Sequence, residues 1–167
     1  TALVTWIIIV WTRNKRPTIV GASTAAVAGL VAITPAAGTA GIFGAMAIGF
    51  ASAFICFFMV AVVKEKLGYD DSLDAFGVHG IGGIIGSILT GVFIVPDGLT
   101  GIGLADSFGG WEQIGIQTIA TVFTIAFSAI VTYILFKLVD KTVGIRASAK
   151  VEEEGLDIYE HGESAYN

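Results

Sequence analysis

The chain has 167 residues, 54% of them hydrophobic and 14% charged, with a mean hydropathy of +0.82. That excess over the apolar share of soluble globular domains points to a membrane protein. The formal charge of −5 gathers in a tail bearing Glu152, Glu153, Glu154, Asp157, Glu160 and Glu163, so the rest is nearly neutral and no nucleic-acid partner is suggested. Cys56 is the single cysteine and lies in an apolar run, which excludes a disulfide frame and a paired-cysteine metal site.

Five apolar segments follow in chain order. The first, residues 1–12, reads TALVTWIIIVWT. It has no basic leader region and is not a signal peptide. A membrane span needs about 20 residues, so the reading is that the chain begins within a helix and belongs to a longer protein. RNKRP then forms a basic turn, with Pro17 suited to the first turn of the next helix. The second segment, about 18–33, carries Gly21, Ala25, Ala28, Gly29 and Ala32 at helical spacing and ends at Thr34-Pro35. Small residues so placed let neighbouring helices approach closely.

The third segment covers about 42–63 and ends in KEKLGYDD; the fourth covers about 73–95. A glycine-rich loop, PDGLTGIGLADSFGGWEQ, separates it from the fifth, about 114–139. Residues 1–140 therefore read as an all-α transmembrane block and 141–167 as a polar tail. Arg13, Lys15, Arg16, Lys64, Lys66, Lys137, Lys141, Arg146 and Lys150 all fall at alternate ends of the five segments. Positive residues stay in the cytoplasm, which puts the tail there and the start of the chain outside. Trp11 and Trp111 fall near the expected membrane surfaces, as interfacial aromatics do.

The fourth segment is the one that carries chemistry: DDSLDAFGVHGIGGIIGSILTGVF, residues 70–93. Asp70, Asp71, Ser72 and Asp74 sit where a helix should begin, and such residues cap free backbone N–H groups and suit the positive end of the helix dipole. Asp74, one step deeper, is also placed to tune the field of an inner vestibule or to fix a helix that it touches. His79 is expected roughly 8–11 Å inside the span, at 1.5 Å per residue. Ionisable groups at such depth are costly and usually functional. By helical spacing Ala75, Phe76, Gly82, Gly83 and Gly86 share its side, leaving room that either a helix or a lumen fills. A neutral imidazole offers one donor and one acceptor nitrogen, which suits a small polar molecule. A haem or metal would need a second His, Cys or inward Glu in these spans, and none is available, so no cofactor is expected.

These residues resemble the ammonium transporter family (Amt/Mep/Rh). Residues 70–93 look like the stretch bearing the second histidine of that family's pore pair. GASTAAVAGLVAITPAAG at 21–38 is similar to its preceding helix, and KLVDKTVGIR at 137–146 with EEEGLDIYEHGESAYN is similar to its last helix and C-terminus. The resemblance implies a fold of eleven transmembrane helices, of which this chain would supply about five: part of the seventh through the eleventh, plus the tail. It implies a homotrimer in the cell (plasma or inner) membrane, crossing the bilayer many times, with one pore per subunit. His79 would be the second pore histidine, Asp74 the acidic residue on its cytoplasmic side and Asp71 the residue at the helix entrance. Thr34 matches the family's TP motif, Ala75 and Val27 would line the lumen, and Phe76 would support them. The first pore histidine, the phenylalanine gate and the outer recruitment aromatics belong to earlier helices and are not in this sequence. The implied substrate is ammonium, with methylammonium as analogue, passing as ammonia. The implied partner is a PII signal protein on the cytoplasmic face.

Two other readings stand beside transport. A sensor of the same fold would have the same helical core, with conformation as its output. A membrane enzyme using His79 as base or haem ligand would need a second polar group at the same depth, and the visible helices lack one.

Overall fold

In the computed structural model, which describes residues 1–94 and 110–164, the apolar segments form helices packed through their smallest residues. Helix α1 (Ala2–Asn14) ends at Lys15, whose backbone is left-handed with φ 59°. Helix α2 (Ile19–Ile33) starts at Thr18, whose side chain accepts the Gly21 N–H at 3.0 Å. Pro17 therefore precedes the cap instead of standing in the first turn, because the threonine hydroxyl takes the capping position. A 3-10 turn, Thr34–Ala36, closes α2.

Helix α3 (Ile42–Phe58) passes into a π-helical stretch, Met59–Val63, and then α4 (Lys64–Leu67), which ends at Gly68 with φ 64°. The third helical run thus reaches Leu67, four residues past the end at about 63 that the apolar run suggests. A second π-helical stretch, Phe76–Gly80, leads into α5 (Ile81–Phe93). Leu73, expected at the start of that span, lies outside the helix and is 88% exposed.

Helix α6 (Trp111–Thr142) begins earlier than expected, so Trp111, Glu112 and Gln113 belong to it and not to the loop before it. Most of that loop, with Asp97 and Asp106, lies outside the described residues. In the tail, α7 (Ala149–Glu154) and a π-helical turn, Asp157–His161, give helical structure to part of the acidic segment. Among the described residues no strand forms; one isolated antiparallel bridge pairs Ala40 with Ile94.

Four of these runs are long and apolar enough to cross a membrane: Ile19–Ala36, Ile42–Leu67, Phe76–Phe93 and Trp111–Thr142. Ala2–Arg13 is a shorter apolar helix. By contacts the chain forms two units, Thr1–Phe123 and Thr124–Asn167. This division falls within α6 and is distinct from the membrane-to-tail division at residue 140, which rests on sequence.

The core of the first unit sits where α1, α2, α3 and the second π stretch meet. Ala25, Ala28, Ala53 and Cys56 are fully buried there, together with Ala2, Trp6, Phe57 and Val78. The Trp6 and Phe57 rings meet edge to face at 5.3 Å, a geometry that aromatic quadrupoles favour. A Cβ on Gly29 would lie 2.6 Å from that of Ala2, so the small-residue stripe of α2 serves close helix packing. Ser52 reaches across from α3 to donate to the Ala28 carbonyl at 2.7 Å.

Candidate functional site

The helix bearing His79 is started by a carboxylate. Asp71 Oδ2 accepts the backbone N–H groups of Phe76 at 3.0 Å and Gly77 at 3.3 Å. These are orphan donors of a first helical turn, and a carboxylate there also meets the positive end of the dipole. Asp74 does something different. Its backbone is left-handed at φ 56°, and its Oδ1 lies 2.7 Å from Lys64 Nζ. The same ammonium donates to the Asp71 carbonyl oxygen. The side chains of Lys64 and Asp74 are 27% and 25% exposed, so this pair is screened less than one on an open surface. Tyr69, in the connecting turn, packs edge to face on Phe76 at 5.9 Å.

His79 sits in the π stretch Phe76–Gly80, inside the candidate span Phe76–Phe93. The helix begins near Ala75, so the ring is four residues in, roughly 6 Å from the helix start, shallower than the sequence suggested. Its side chain is exposed and, among the described residues, has no hydrogen-bond or ring partner.

The face assignment needs correction. Gly82 and Gly86 are buried: a Cβ on Gly82 would meet Val31, Cys56 and Ala28, and one on Gly86 would lie 2.2 Å from the Ala32 carbonyl oxygen. Those two glycines hold α5 against α2, whereas a Cβ on Gly83 would meet nothing within 4 Å. The packed stripe is Val78, Gly82, Gly86 and Thr90, all buried at four-residue spacing, and His79, one position on from Val78, lies beside it.

Gly82 over Ala28 and Gly86 over Ala32 also show that α2 and α5 run in the same direction. Thr34 therefore lies beyond the level of Gly86 and is not brought to His79; its hydroxyl donates to the Leu30 carbonyl at 2.6 Å. Val27, 37% exposed, and Ala75, also exposed, stand free of the packed core. Phe76 is half-exposed, with its ring over Gly80. The sequence reading missed Lys64, which was counted only as a cytoplasmic charge. It also missed Gly77, where a Cβ would lie 2.8 Å from Val60 Cγ2. The spacing of Lys64 and Asp74 across a turn was the available signal for the first; nothing in the sequence marks the two π stretches.

Long apolar helices held by small residues, with a partnerless imidazole inside one of them, define a helical integral membrane protein with a polar group set within a span. The sequence profile described as the Ammonium Transporter Family matches residues 1–166. The chain belongs to that family. It is 46% identical to an ammonium transporter of Aquifex aeolicus, over the whole of this chain and 39% of that protein. Its fold is similar to the crystal structure of Saccharomyces cerevisiae Mep2, with a TM-score of 0.76 at 34% identity over 89% of this chain and 35% of that one. It is also similar to a solved structure titled as a sensor Amt protein, with a TM-score of 0.81 at 28% identity over 95% of this chain and 38% of that one. The chain thus spans about 40% of the length of such relatives.

Proposed function

We propose that this chain forms the C-terminal part of an ammonium transporter in which His79 faces the conducting path. The observation that carries the reading is an exposed imidazole, without a partner among the described residues, inside a helix apolar enough to span a bilayer. An unpaired ammonium ion in hydrocarbon carries a prohibitive Born cost, whereas neutral ammonia does not. A dry apolar passage therefore requires ammonium to leave its proton behind and cross as ammonia. His79 offers that molecule a donor and an acceptor, with Ala75 and Val27 lining the passage and Asp71, Asp74, Thr34 and Phe76 supporting it. The family membership supports a homotrimer in the cell membrane, a cytoplasmic tail and a PII signal protein docking on that face.

The test is ammonium and methylammonium flux through the full-length protein in liposomes. His79→Ala is expected to change selectivity between the two; unchanged flux and selectivity overturn the assignment. Removal of residues 151–167 is expected to alter transport or PII binding, and no effect on either counts against the role of the tail.

The likeness to a sensor Amt protein favours a second reading, in which the conformation of the same site is the output. A His79 variant that loses flux but keeps an ammonium-dependent signal in cells would favour the sensor. Loss of both together favours the transporter.

A further inference from the structure

We infer that Lys64 and Asp74 are positioning residues for His79, acting through two facing π-helical stretches; this rests on the reading of His79 as a pore residue. Met59–Val63 ends where Lys64 begins, and Phe76–Gly80 begins two residues after Asp74. The two stretches touch, for Gly77 lies so close to Val60 that a Cβ would stand 2.8 Å from Val60 Cγ2 and 3.9 Å from Met59 Cβ. The Lys64–Asp74 pair ties their adjoining ends together at 2.7 Å, and Lys64 also holds the Asp71 carbonyl.

Each part has a consequence for the ring. A π stretch inside a helix is rare and frequently marks a functional site. Asp74 is at φ 56°, a region uncommon outside glycine that Asp tolerates better than most residues, and Lys64 holds its carboxylate there. Val78, Gly82, Gly86 and Thr90 are buried at four-residue spacing, and His79, one position on from Val78, stands beside that stripe and is exposed. The Lys64–Asp74 pair and the Gly77–Val60 contact fix the start of this helix against the third helical run, and with it the rotation that keeps the imidazole on the open side.

The experiment uses the complete transporter in liposomes and reads the ratio of ammonium to methylammonium flux, which a merely stabilising pair would not move. Lys64→Met and the near-isosteric Asp74→Asn are each expected to shift the ratio in the direction of His79→Ala by about tenfold, within the ~100-fold that a displacement on the order of 1 Å can cost. The double variant is expected to shift it no further, and Lys64→Arg to preserve it. Gly77→Ala, which pushes on Val60, is expected to shift the ratio, and adding Val60→Ala to restore it. A ratio unmoved in Asp74→Asn while the melting temperature falls overturns the inference, as does full additivity of Lys64→Met and Asp74→Asn. If Lys64→Met does not assemble, Asp74→Asn and the Gly77–Val60 compensation decide alone. If His79→Ala itself leaves selectivity unchanged, the pore reading fails and this inference with it; a responsive His79→Ala beside silent pair variants removes only the inference.

Discussion

The hydroxyl of Ser52 donates to the carbonyl of Ala28 at 2.7 Å, tying α3 to α2 at a point where both residues are fully buried. Ala28 is a helical residue whose carbonyl already serves the backbone ladder, so this is a second bond to the same oxygen. Cys56 Sγ stands 3.8 Å from the same hydroxyl and 4.0 Å from the Val78 carbonyl, which carries the contact on toward the helix of His79.

Ser52→Ala removes this cross-helix bond without adding volume. Interhelical hydrogen bonds in membranes contribute on the order of 1 kcal/mol. The expected result is a lowered melting temperature of the full-length protein in detergent, with flux retained at low temperature. An unchanged melting temperature would show that the bond adds nothing to stability.

Two glycines three residues apart on α5 are expected to respond oppositely. A Cβ on Gly86 would lie 2.2 Å from the Ala32 oxygen and 2.8 Å from its carbonyl carbon. Backbone cannot swing aside as a side-chain tip can, so Gly86→Ala must push α2 and α5 apart, at about 1–3 kcal/mol or more. A Cβ on Gly83 would meet nothing within 4 Å. Gly83→Ala is expected to be neutral or to stabilise by up to about 1 kcal/mol through helix propensity. Thermal unfolding of the two variants side by side checks the pair, and equal losses would contradict the register between α2 and α5.

The helices were legible in the sequence because an apolar run of span length has few alternatives to a helix in lipid. The packing role of Gly29, Ala25 and Ala28 was legible for the same reason, since close approach needs small residues. The face of His79 was not. Helical spacing assigns Gly82 and Gly86 to its side, but the buried stripe is Val78, Gly82, Gly86 and Thr90, and His79 stands beside it. Which of two adjacent residues takes the packed side is set by tertiary contacts, such as Gly77 against Val60, that the sequence does not show. Sequence marks the acidic cluster as helix-starting, and of its members Asp71 accepts helix N–H groups, but sequence does not say which carboxylate caps and which pairs. Asp71 and Asp74 differ only in reach, and Lys64 decides between them from across a turn.

The tail carries a pH-dependent contact. The Tyr159 phenol bonds to Glu154, and this bond first, with a smaller contribution from desolvation, raises its pKa above the ordinary 10.0. A raised pKa means that the protonated phenol is the form the folded tail favours. The contact is fully present below pH 10 and is lost as pH rises through the raised value. The expected observation, by NMR of the tyrosine ring carbon in the full-length protein, is a Tyr159 titration above the ordinary range that Glu154→Gln moves back toward it. Titration at the ordinary value in the unmodified protein would show that the contact does not form.

The last prediction separates the two carboxylates before His79. Asp71 caps Phe76 and Gly77 through one oxygen, so its contribution lies in accepting hydrogen bonds and in its charge. Asp71→Asn keeps an acceptor and loses the charge, forgoing only the dipole term of about 0.3–1 kcal/mol. Asp71→Ala leaves both N–H groups without their carboxylate acceptor and should lose about 0.5–2 kcal/mol, as N-cap deletions do. Amide hydrogen exchange at Phe76 and Gly77 in the full-length protein is therefore expected to quicken in the order wild type, Asn, Ala. Asp74→Asn acts through Lys64 instead, and should disturb the 64–74 turn while leaving the Asp71 cap in place. If Asp71→Ala and Asp74→Asn gave the same exchange pattern at Phe76, the two carboxylates would be parts of one undivided cluster, and the distinct roles assigned to them would fall.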